Sequence, residues 1–357
     1  MKVTVLGSGN GGMAIAYDWA SHGHEVRLAS CTGTSTVDDV AAAGGITATG
    51  EWEGFAPIAY AGGDIGRAVE GTELLFIAGP AFATAPQAEM VREHLRPDMM
   101  VVVCPTSCLG SAVFKKAAGL ALDAEQPLVG ETSTLPYAVR ITGPATLNLF
   151  KKIDAGITVA GLPSSGTPRL HEVLAQVYPT IEPATSIFET TLANGNPVIH
   201  PAVTLLNAAE IERTDGDFQF YWEGVTPAVG RQMAAVDAER LAIADALGVS
   251  VLSEPDLGVK QGYMAEANYT TGYSRAPGFK GIKAQDSLDH RYLTEDAGYT
   301  LLLYTELARA LGVPTPVMDA TITIAGVVLD RDFRAENART LASAGLDGLD
   351  AEELRAL

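Results

Sequence analysis

The sequence predicts two domains, an α/β domain with a doubly wound parallel sheet followed by an all-helical domain. Three observations support this fold class. The chain of 357 residues is longer than one hydrophobic core usually serves. Short β-rich runs alternate with helical segments up to about residue 185, and few β-rich runs follow. Alternating strands and helices form βαβ units with parallel strands. Because this alternation ends close to residue 187, we place the domains at residues 1–187 and 188–357.

The first domain contains six β-rich runs that we predict to be strands. Helices are predicted between them, for example at Met13–Ser21 and Ala83–His94. The strand candidates are Lys2–Leu6, Glu25–Ala29, Leu74–Ala78, Met100–Cys104, Pro127–Gly130 and Gly156–Ala160.

The second domain has the periodicity of helices. Apolar residues recur at helical spacing over Val229–Leu247, and Gly248 follows where a helix would stop. A similar segment covers Leu301–Leu311 and ends at Gly312. The tail, Leu346–Leu357, is predicted to form a short acidic helix.

Composition and charge exclude several classes of protein. Hydrophobic residues make up 47% of the chain and charged residues 19%, which is typical of a globular protein. The net charge of −19 disfavours binding to nucleic acid or to anionic membranes, since both require a cationic surface. A homodimer is compatible with the sequence.

The three cysteines are too few for a disulfide framework. Cys104 and Cys108 have no second pair of ligands near them, so we expect no metal site. Met1–Gly7 contains too short an apolar run for a signal peptide, and no stretch is long enough to span a membrane. We therefore expect a cytoplasmic protein.

A glycine-rich run follows the first predicted strand directly and opens a helix: Gly7-Ser8-Gly9-Asn10-Gly11-Gly12. In this context the run is typical of a dinucleotide site. Gly7 allows the tight turn, Gly9 lets the pyrophosphate approach the backbone, and Gly12 lets the helix pack closely on the strand. The positive end of the helix dipole then faces the phosphates. A glycine-rich turn without a ligand is the alternative.

The end of the second predicted strand bears on which dinucleotide is bound. An acidic residue there usually holds the ribose 2′-hydroxyl of NADH, but residues 29–34 contain none. The hydroxyls of Ser30, Thr32 and Thr34 could bind a 2′-phosphate, or could cap a loop. The only cation nearby is Arg27, which lies inside the strand. We predict NADH or NADPH as cofactor, with NADPH favoured.

His200 is the first candidate for the chemistry. It lies in Asn196-Pro197-Val198-Ile199-His200-Pro201, one of six histidines in the chain. Asn196 followed by Pro197 indicates a helix start, which would put the imidazole in the first turn. A buried structural histidine is the alternative.

Arg291 and Asp296 are the next candidates. We expect Thr294 to cap a helix that places Asp296 in its first turn. The alternatives are simple pairing of Asp296 with the helix dipole and a surface ion pair for Arg291.

Taken together, five ordered segments resemble the octopine/opine dehydrogenase family. Their order and spacing match over nearly the whole chain, as does Gly312–Pro316. The resemblance implies a Rossmann-type first domain and an all-helical second domain, with substrates held in the cleft between them. The five segments are the glycine run, Glu131–Arg140, Asn196–Pro201, Asp237–Arg240 and Arg291–Asp296.

The resemblance also implies roles for single residues. His200 resembles the family's catalytic histidine, Asp296 its carboxylate partner, and Arg291 the arginine that holds the keto-acid carboxylate. Thr132 falls where the first domain of the family contacts substrate. We assign part of the pocket for the amino-acid side chain to Gly262–Lys280. We interpret Asp237–Arg240 as helix-surface and interdomain ion pairing, with substrate contact as the alternative.

The implied function is NAD(P)H-dependent reductive condensation of an amino acid with a 2-keto acid, pyruvate in this interpretation. The two small molecules would form an imine, which hydride then reduces. Loss of water needs a proton donor, and histidine serves near neutral pH. Two alternatives stay open. A ketopantoate-type 2-keto/2-hydroxy acid reductase would need a catalytic lysine at the head of a helix in the second domain. A non-catalytic dinucleotide sensor would need the glycine run alone.

Overall fold

The computed structural model describes residues 1–30, 35–106 and 108–357. These residues divide into two compact units, Met1–Thr190 and Thr191–Ala356. The first unit is α/β and the second is helical, so the predicted fold class is confirmed. Among the described residues, no helix is both long and apolar enough to cross a membrane.

An eight-stranded sheet organises the first unit. Numbering the strands along the chain, its order is β12-β11-β8-β7-β6-β1-β2-β5. All neighbours are parallel except β11 and β8. The strands of the first unit are β1 Lys2–Leu6, β2 Glu25–Ala29, β3 Gly45–Gly50, β4 Gly54–Pro57, β5 Tyr60–Gly62, β6 Leu74–Ile77, β7 Met100–Val103, β8 Leu128–Thr132, β9 Tyr137–Gly143, β10 Thr146–Lys152, β11 Thr158–Leu162 and β12 Glu182–Pro183.

The central strands are apolar throughout because helices cover both faces of the sheet. Every residue of β6 and β7 is buried, as expected for a parallel sheet between two helical layers. On α1, Trp19 is fully buried and its ring lies 5.4 Å from that of Phe76 on β6. The helices are α1 Asn10–Ser21, α2 Ser35–Ala43, α3 Ile65–Val69, α4 Thr84–Val91, α5 Gly110–Ala118, α6 Thr167–Leu174 and α7 Ile187–Leu192, with 3-10 turns at Ala81–Ala83, Arg92–His94 and Ser164–Gly166.

A second sheet, of four strands in the order β4-β3-β10-β9, was not predicted. Strands β3 and β10 are parallel, and the other two pairs are antiparallel. Residues of β9 tend to alternate between more and less buried positions, the pattern of a sheet with one face toward solvent. Tyr137, Val139 and Ile141 show that alternation in the sequence. The segment was nevertheless interpreted as a family motif, without assigning a strand.

The second unit consists of helices. Every residue from 191 to 356 is described, and the regular elements among them are helical apart from one isolated bridge, Gln219 to Lys283. The helices are α8 Asn196–Leu206, α9 Ala208–Thr214, α10 Pro227–Leu247, α11 Glu254–Lys260, α12 Thr271–Ser274, α13 Arg291–Thr294, α14 Leu302–Leu311, α15 Pro316–Leu329, α16 Phe333–Glu336 and α17 Ala351–Arg355, with a 3-10 turn at Pro277–Phe279 and a π-helix at Asp296–Leu301.

Glycine ends both long helices that the periodicity predicted. Gly248 follows α10 with φ 75° and Gly312 follows α14 with φ 72°. Residues with side chains rarely adopt this left-handed conformation. Both predicted helix ends are confirmed.

The surface interpretation of Asp237 and Arg240 is wrong. Both residues are fully buried on α10. Arg240 Nε donates to Asp237 Oδ1 at 2.6 Å, and Arg240 Nη2 donates to the carbonyl of Leu252 at 2.7 Å. Tyr269 donates to the other carboxylate oxygen of Asp237 at 2.5 Å. These bonds fasten α10 to loops of the same unit, and breaking one partner would leave a buried charge uncompensated.

Candidate active site

His200 lies on α8, which begins at Asn196 with Pro197 in its first turn. The helix start is as predicted, but the histidine is the fifth residue, one position beyond the first turn. Its side chain is 8% exposed. Pro197 removes no hydrogen bond at this position because the first N–H groups of a helix have no partner within it.

Both ring nitrogens of His200 have polar partners. Nδ1 lies 2.8 Å from Asp296 Oδ2, and Nε2 lies 3.2 Å from the Tyr221 hydroxyl. The Tyr292 ring stacks on one face of the imidazole, with centroids 3.8 Å apart and planes at 22°. With Asp296 ionised, Nδ1 carries a hydrogen that the carboxylate accepts, and neutral Nε2 accepts from Tyr221. The carboxylate thereby fixes the tautomer and the ring orientation.

Asp296 reaches the histidine from a π-helix that follows α13. Thr300 N–H donates to the carbonyl of Glu295, five residues back, at 3.1 Å. Single π turns of this kind often occur at functional sites. The expected cap was wrong, because Thr294 ends α13 and its hydroxyl donates to the carbonyl of His290. Asp296 does lie in the first turn of the element that follows.

Arg291 opens α13 next to these groups. Its side chain is 57% exposed, and Nε lies 3.4 Å from Glu295 Oε2. Burial by itself would lower the pKa of Arg291, but the carboxylates of Glu295 and Asp296 outweigh it and raise the pKa above the usual value. The guanidinium is therefore charged, and more than half of the side chain is accessible to a ligand.

A second histidine lies close by and was not singled out in the sequence. The His290 ring meets Tyr292 edge-on at 4.5 Å, and its side chain accepts the N–H of Tyr292 at the start of α13. Burial lowers the pKa of His290, and its neighbours Arg291 and His200 lower it further. Tyr292 therefore contacts the rings of both histidines, His200 by stacking and His290 edge-on.

Aromatic residues surround Tyr221. Its ring stacks on Phe279 at 4.4 Å, and Phe279 in turn stacks with Tyr263 and Tyr273, each at 5.8 Å. These three partners belong to the 262–280 segment, which was predicted to line part of the amino-acid pocket. Burial raises the pKa of the Tyr221 phenol well above its usual value, and Tyr292 and Glu254 add to the effect.

The glycine run in the first unit has the backbone that close packing requires. Gly7 has φ +124°, and a Cβ there would lie 1.9 Å from the carbonyl oxygen of Ala78. A Cβ on Gly12 would lie 1.7 Å from the Gly7 carbonyl oxygen. By contrast, among the described residues other than its two chain neighbours, no heavy atom lies within 4 Å of a Cβ built on Gly9, so these residues leave the backbone at the head of α1 uncovered. These features fit a dinucleotide pyrophosphate.

The neighbours of Gly9 in this turn have other contacts. Ser8 is buried. Asn10 Oδ1 accepts the N–H of Ile141 at 2.8 Å, so its side chain ties the turn to β9. A Cβ on Gly11 would lie 3.0 Å from the Leu135 side chain.

Other predicted binding residues of the first unit have mixed outcomes. Ser30 is buried at the end of β2, whereas Thr32 and Thr34 lie outside the described residues. Arg27 donates to the carbonyls of Arg67 and Glu70 at 2.9 and 2.8 Å, so its guanidinium is already engaged.

Thr132 ends β8 and is fully buried. Its hydroxyl donates to the carbonyl of Thr134 at 3.1 Å. Thr132 is therefore held within the first unit, and its predicted contact with substrate stays a prediction.

The structure thus brings together His200, Asp296 and Arg291 in the second unit. Tyr221 and Tyr292 complete the cluster, and sequence reasoning gave neither of them a role. Tyr292 directly follows Arg291 and lies four residues before Asp296, and that proximity to two predicted site residues was the available signal.

Comparisons with known proteins identify the family of the chain. The family model for the NAD/NADP octopine/nopaline dehydrogenase alpha-helical domain matches residues 183–329. The chain is 34% identical to an opine dehydrogenase of Arthrobacter sp. (strain 1C), over 98% of this chain and 97% of that protein. It is similar in fold to octopine dehydrogenase bound to NADH and L-arginine, with TM-score 0.81, 18% identity, and coverage of 100% of this chain and 98% of that one. Yersinopine dehydrogenase bound to NADP+ gives TM-score 0.71 at 17% identity, covering 100% and 97%.

Proposed function

This chain belongs to the octopine/opine dehydrogenase family, and from that premise we propose that His200, Asp296 and Arg291 form its catalytic centre. The chain is an NAD(P)-dependent opine dehydrogenase. Enzymes of this class join the amino group of an amino acid to a 2-keto acid and reduce the resulting imine. The observation that carries the assignment of the centre is the buried contact of 2.8 Å between His200 Nδ1 and Asp296 Oδ2.

The imidazole supplies the proton transfers. The amine adds to the keto carbon to give a carbinolamine, whose hydroxyl must leave as water, and that departure requires an acid. Protonated His200 is such an acid, and the neutral ring takes the proton back in the reverse reaction. Asp296 stabilises the charged ring and fixes which nitrogen faces outward.

Arg291 positions the keto acid in this proposal. A guanidinium grips a planar carboxylate with two parallel hydrogen bonds, which an ammonium does less well. The grip would hold the reacting carbon in one orientation, and orientation alone contributes several kcal/mol to such reactions. The Arg291 side chain is 57% exposed, and its ion pair with Glu295 is long at 3.4 Å, so the guanidinium is suited to this task.

The glycine turn would hold the nicotinamide dinucleotide. Gly7 and Gly12 would shape the turn and Gly9 would let the pyrophosphate approach the head of α1, and we propose Ser30 and Thr32 as contacts of the adenine ribose. When bound, the dinucleotide supplies the hydride for the reduction. We propose NADPH as the preferred form because no acid follows β2. Initial rates with NADH and NADPH test this preference, and a strong preference for NADH would contradict it.

We propose an amino acid and pyruvate as the substrates. The experiment mixes enzyme, dinucleotide and pyruvate with and without a panel of amino acids. Oxidation of the dinucleotide that depends on an amino acid supports the proposal. Oxidation without any amine would instead indicate a 2-keto acid reductase, and binding without turnover would indicate a sensor. The homodimer and the cytoplasmic location stay predictions, and light scattering on the purified protein tests the first.

A further inference from the structure

Tyr221 occupies the only nitrogen through which His200 can exchange a proton with a substrate. Nδ1 is bonded to Asp296, which leaves Nε2, and the partner of Nε2 is the Tyr221 hydroxyl at 3.2 Å. We infer that Tyr221 is a catalytic residue that passes the proton between His200 Nε2 and the oxygen of the carbinolamine. The inference rests on the proposed function and adds a member to its catalytic centre.

The packing around Tyr221 holds the hydroxyl in this position. The phenol ring stacks on Phe279 at 4.4 Å and meets Phe220 edge-on at 5.0 Å with planes at 90°. Phe220 is fully buried and Tyr221 is 7% exposed. Stacked and edge-on arrangements are the favoured geometries of aromatic pairs. Moving the hydroxyl away from His200 would therefore disturb two ring contacts as well as a hydrogen bond.

The imidazole is equally fixed. Tyr292 covers one face at 3.8 Å, and Asp296 anchors the opposite end of the ring. The His200 side chain is 8% exposed, so little of it is open to a ligand. A proton that leaves Nε2 thus meets the Tyr221 oxygen first.

A phenol can carry this proton without ionising, since its oxygen accepts one hydrogen bond while its O–H donates another. The high pKa of the buried Tyr221 keeps the hydroxyl protonated. In the dehydration step, imidazolium Nε2–H gives its proton to the Tyr221 oxygen. The Tyr221 O–H proton moves to the carbinolamine hydroxyl, the C–O bond breaks and water leaves.

The electrons and charges balance in this step. The lone pair on the amine nitrogen forms the C=N bond of an iminium ion, which takes up the positive charge lost by the imidazolium. His200 and Tyr221 end neutral, and nothing is oxidised or reduced. In the reverse direction, water adds to the iminium carbon, and the proton returns through Tyr221 to Nε2.

The test compares Tyr221→Phe with Tyr304→Phe in the full-length protein. Tyr221→Phe keeps the ring stacking and removes only the hydroxyl. Tyr304 is a matched control, because it is fully buried in the same unit and its hydroxyl donates to the Thr191 carbonyl at 2.7 Å. Both variants lose one buried hydrogen bond, but only the first loses the group on His200.

We expect Tyr221→Phe to lower kcat by about 100-fold, the lower end of the range for loss of an acid–base group. The KM values of the amino acid and the keto acid should stay within about threefold, and Tyr304→Phe should keep near-normal kcat. Near-normal kcat in Tyr221→Phe would overturn the inference, since the hydroxyl would then be a placeholder displaced by substrate. A raised amino-acid KM with kcat retained would also overturn it, and would make Tyr221 a wall of the pocket.

Two further measurements separate a relay from a role in holding the histidine. Adding Tyr221→Phe to His200→Ala should cost little more, since groups that act in series are not additive. When kcat/KM is plotted against the deuterium fraction of the solvent, the plot should be curved for the wild type, where two protons move, and straight for Tyr221→Phe. A straight plot for the wild type would refute the relay. A double variant whose fold-loss of kcat equals the product of the two single losses would refute it too. If the wild type oxidised the dinucleotide without any amine, that result would instead refute the proposed function itself.

Discussion

Asp296→Asn isolates the charge that His200 depends on. The substitution keeps the size of the side chain but removes its negative charge, and it introduces an amide N–H. That N–H can donate to Nδ1, which favours the tautomer with its hydrogen on Nε2. The bond from Tyr221 to Nε2 would then lose its acceptor, and the imidazolium would lose its partner.

The magnitude follows from the burial of the pair. A hydrogen bond to a charged group contributes about 1.5–3 kcal/mol. Water cannot replace the carboxylate effectively, because the side chains of His200 and Asp296 are only 8% and 3% exposed. At about 1.4 kcal/mol per factor of ten in rate, we expect kcat to fall by about 10- to 150-fold.

The assay follows oxidation of the nicotinamide cofactor at saturating amino acid and keto acid. Asp217→Asn is the control, since it removes a carboxylate whose ion pair with Lys283 is largely exposed and exposed pairs contribute little. Thermal unfolding confirms that both variants fold. If Asp296→Asn turned over within about threefold of wild type, the carboxylate would not support the chemistry, and the reasoning would fail.

Three other changes have defined outcomes. Gly9→Ala should fold normally, because no atom of the described residues beyond its chain neighbours lies within 4 Å of the added Cβ, but should weaken dinucleotide binding by about tenfold or more in a fluorescence titration. Gly143→Ala, equally open to the described residues, should bind normally. Arg291→Ala should raise the KM of the keto acid without changing that of the dinucleotide, and a change confined to the dinucleotide would contradict its role. Burial lowers the pKa of Lys115 to about 8, so the folded state binds fewer protons than the unfolded state between that pH and about 10.4. Between about pH 7 and about pH 9.5, the unfolding free energy of wild type should therefore rise by about 2 kcal/mol relative to that of Lys115→Met, as measured by urea titration. A difference that does not change with pH would show that the pKa of Lys115 is not lowered.

The parallel sheet was predictable because its central strands are continuous apolar runs. Leu74–Ile77 and Met100–Val103 are buried at every position, and such runs stand out from helices and loops in a sequence. The glycine turn was predictable for a related reason, since Gly7 and Gly12 occupy positions where a Cβ would collide with backbone. In both cases local sequence determines local structure.

The four-stranded sheet and the π-helix were harder to foresee. β9 and β10 mix polar and apolar residues and depend on pairing with each other and with β3, which one segment cannot reveal. The π turn begins at Asp296. In the sequence Thr294 resembles a helix N-cap for this segment, but in the structure its hydroxyl donates back to the carbonyl of His290. Tertiary context therefore decided both features.

The candidate site was only partly accessible from sequence. His200 and Asp296 lie 96 residues apart, and only the resemblance to a family placed them together. The burial of Asp237 and Arg240 was missed, because three charged residues within four positions of a helix usually indicate a solvated face. Tyr221 and Tyr292 gave no signal of their own, since a tyrosine in a helical domain is usually part of the core.

His200→Ala gives the most direct test of the catalytic centre, provided that turnover and dinucleotide binding are measured on the same preparation. Loss of the imidazole should lower turnover by about 100-fold or more and leave the dinucleotide Kd unchanged, because the glycine turn belongs to the other unit. Near-normal turnover in that variant would contradict the account, whatever its affinity for the dinucleotide.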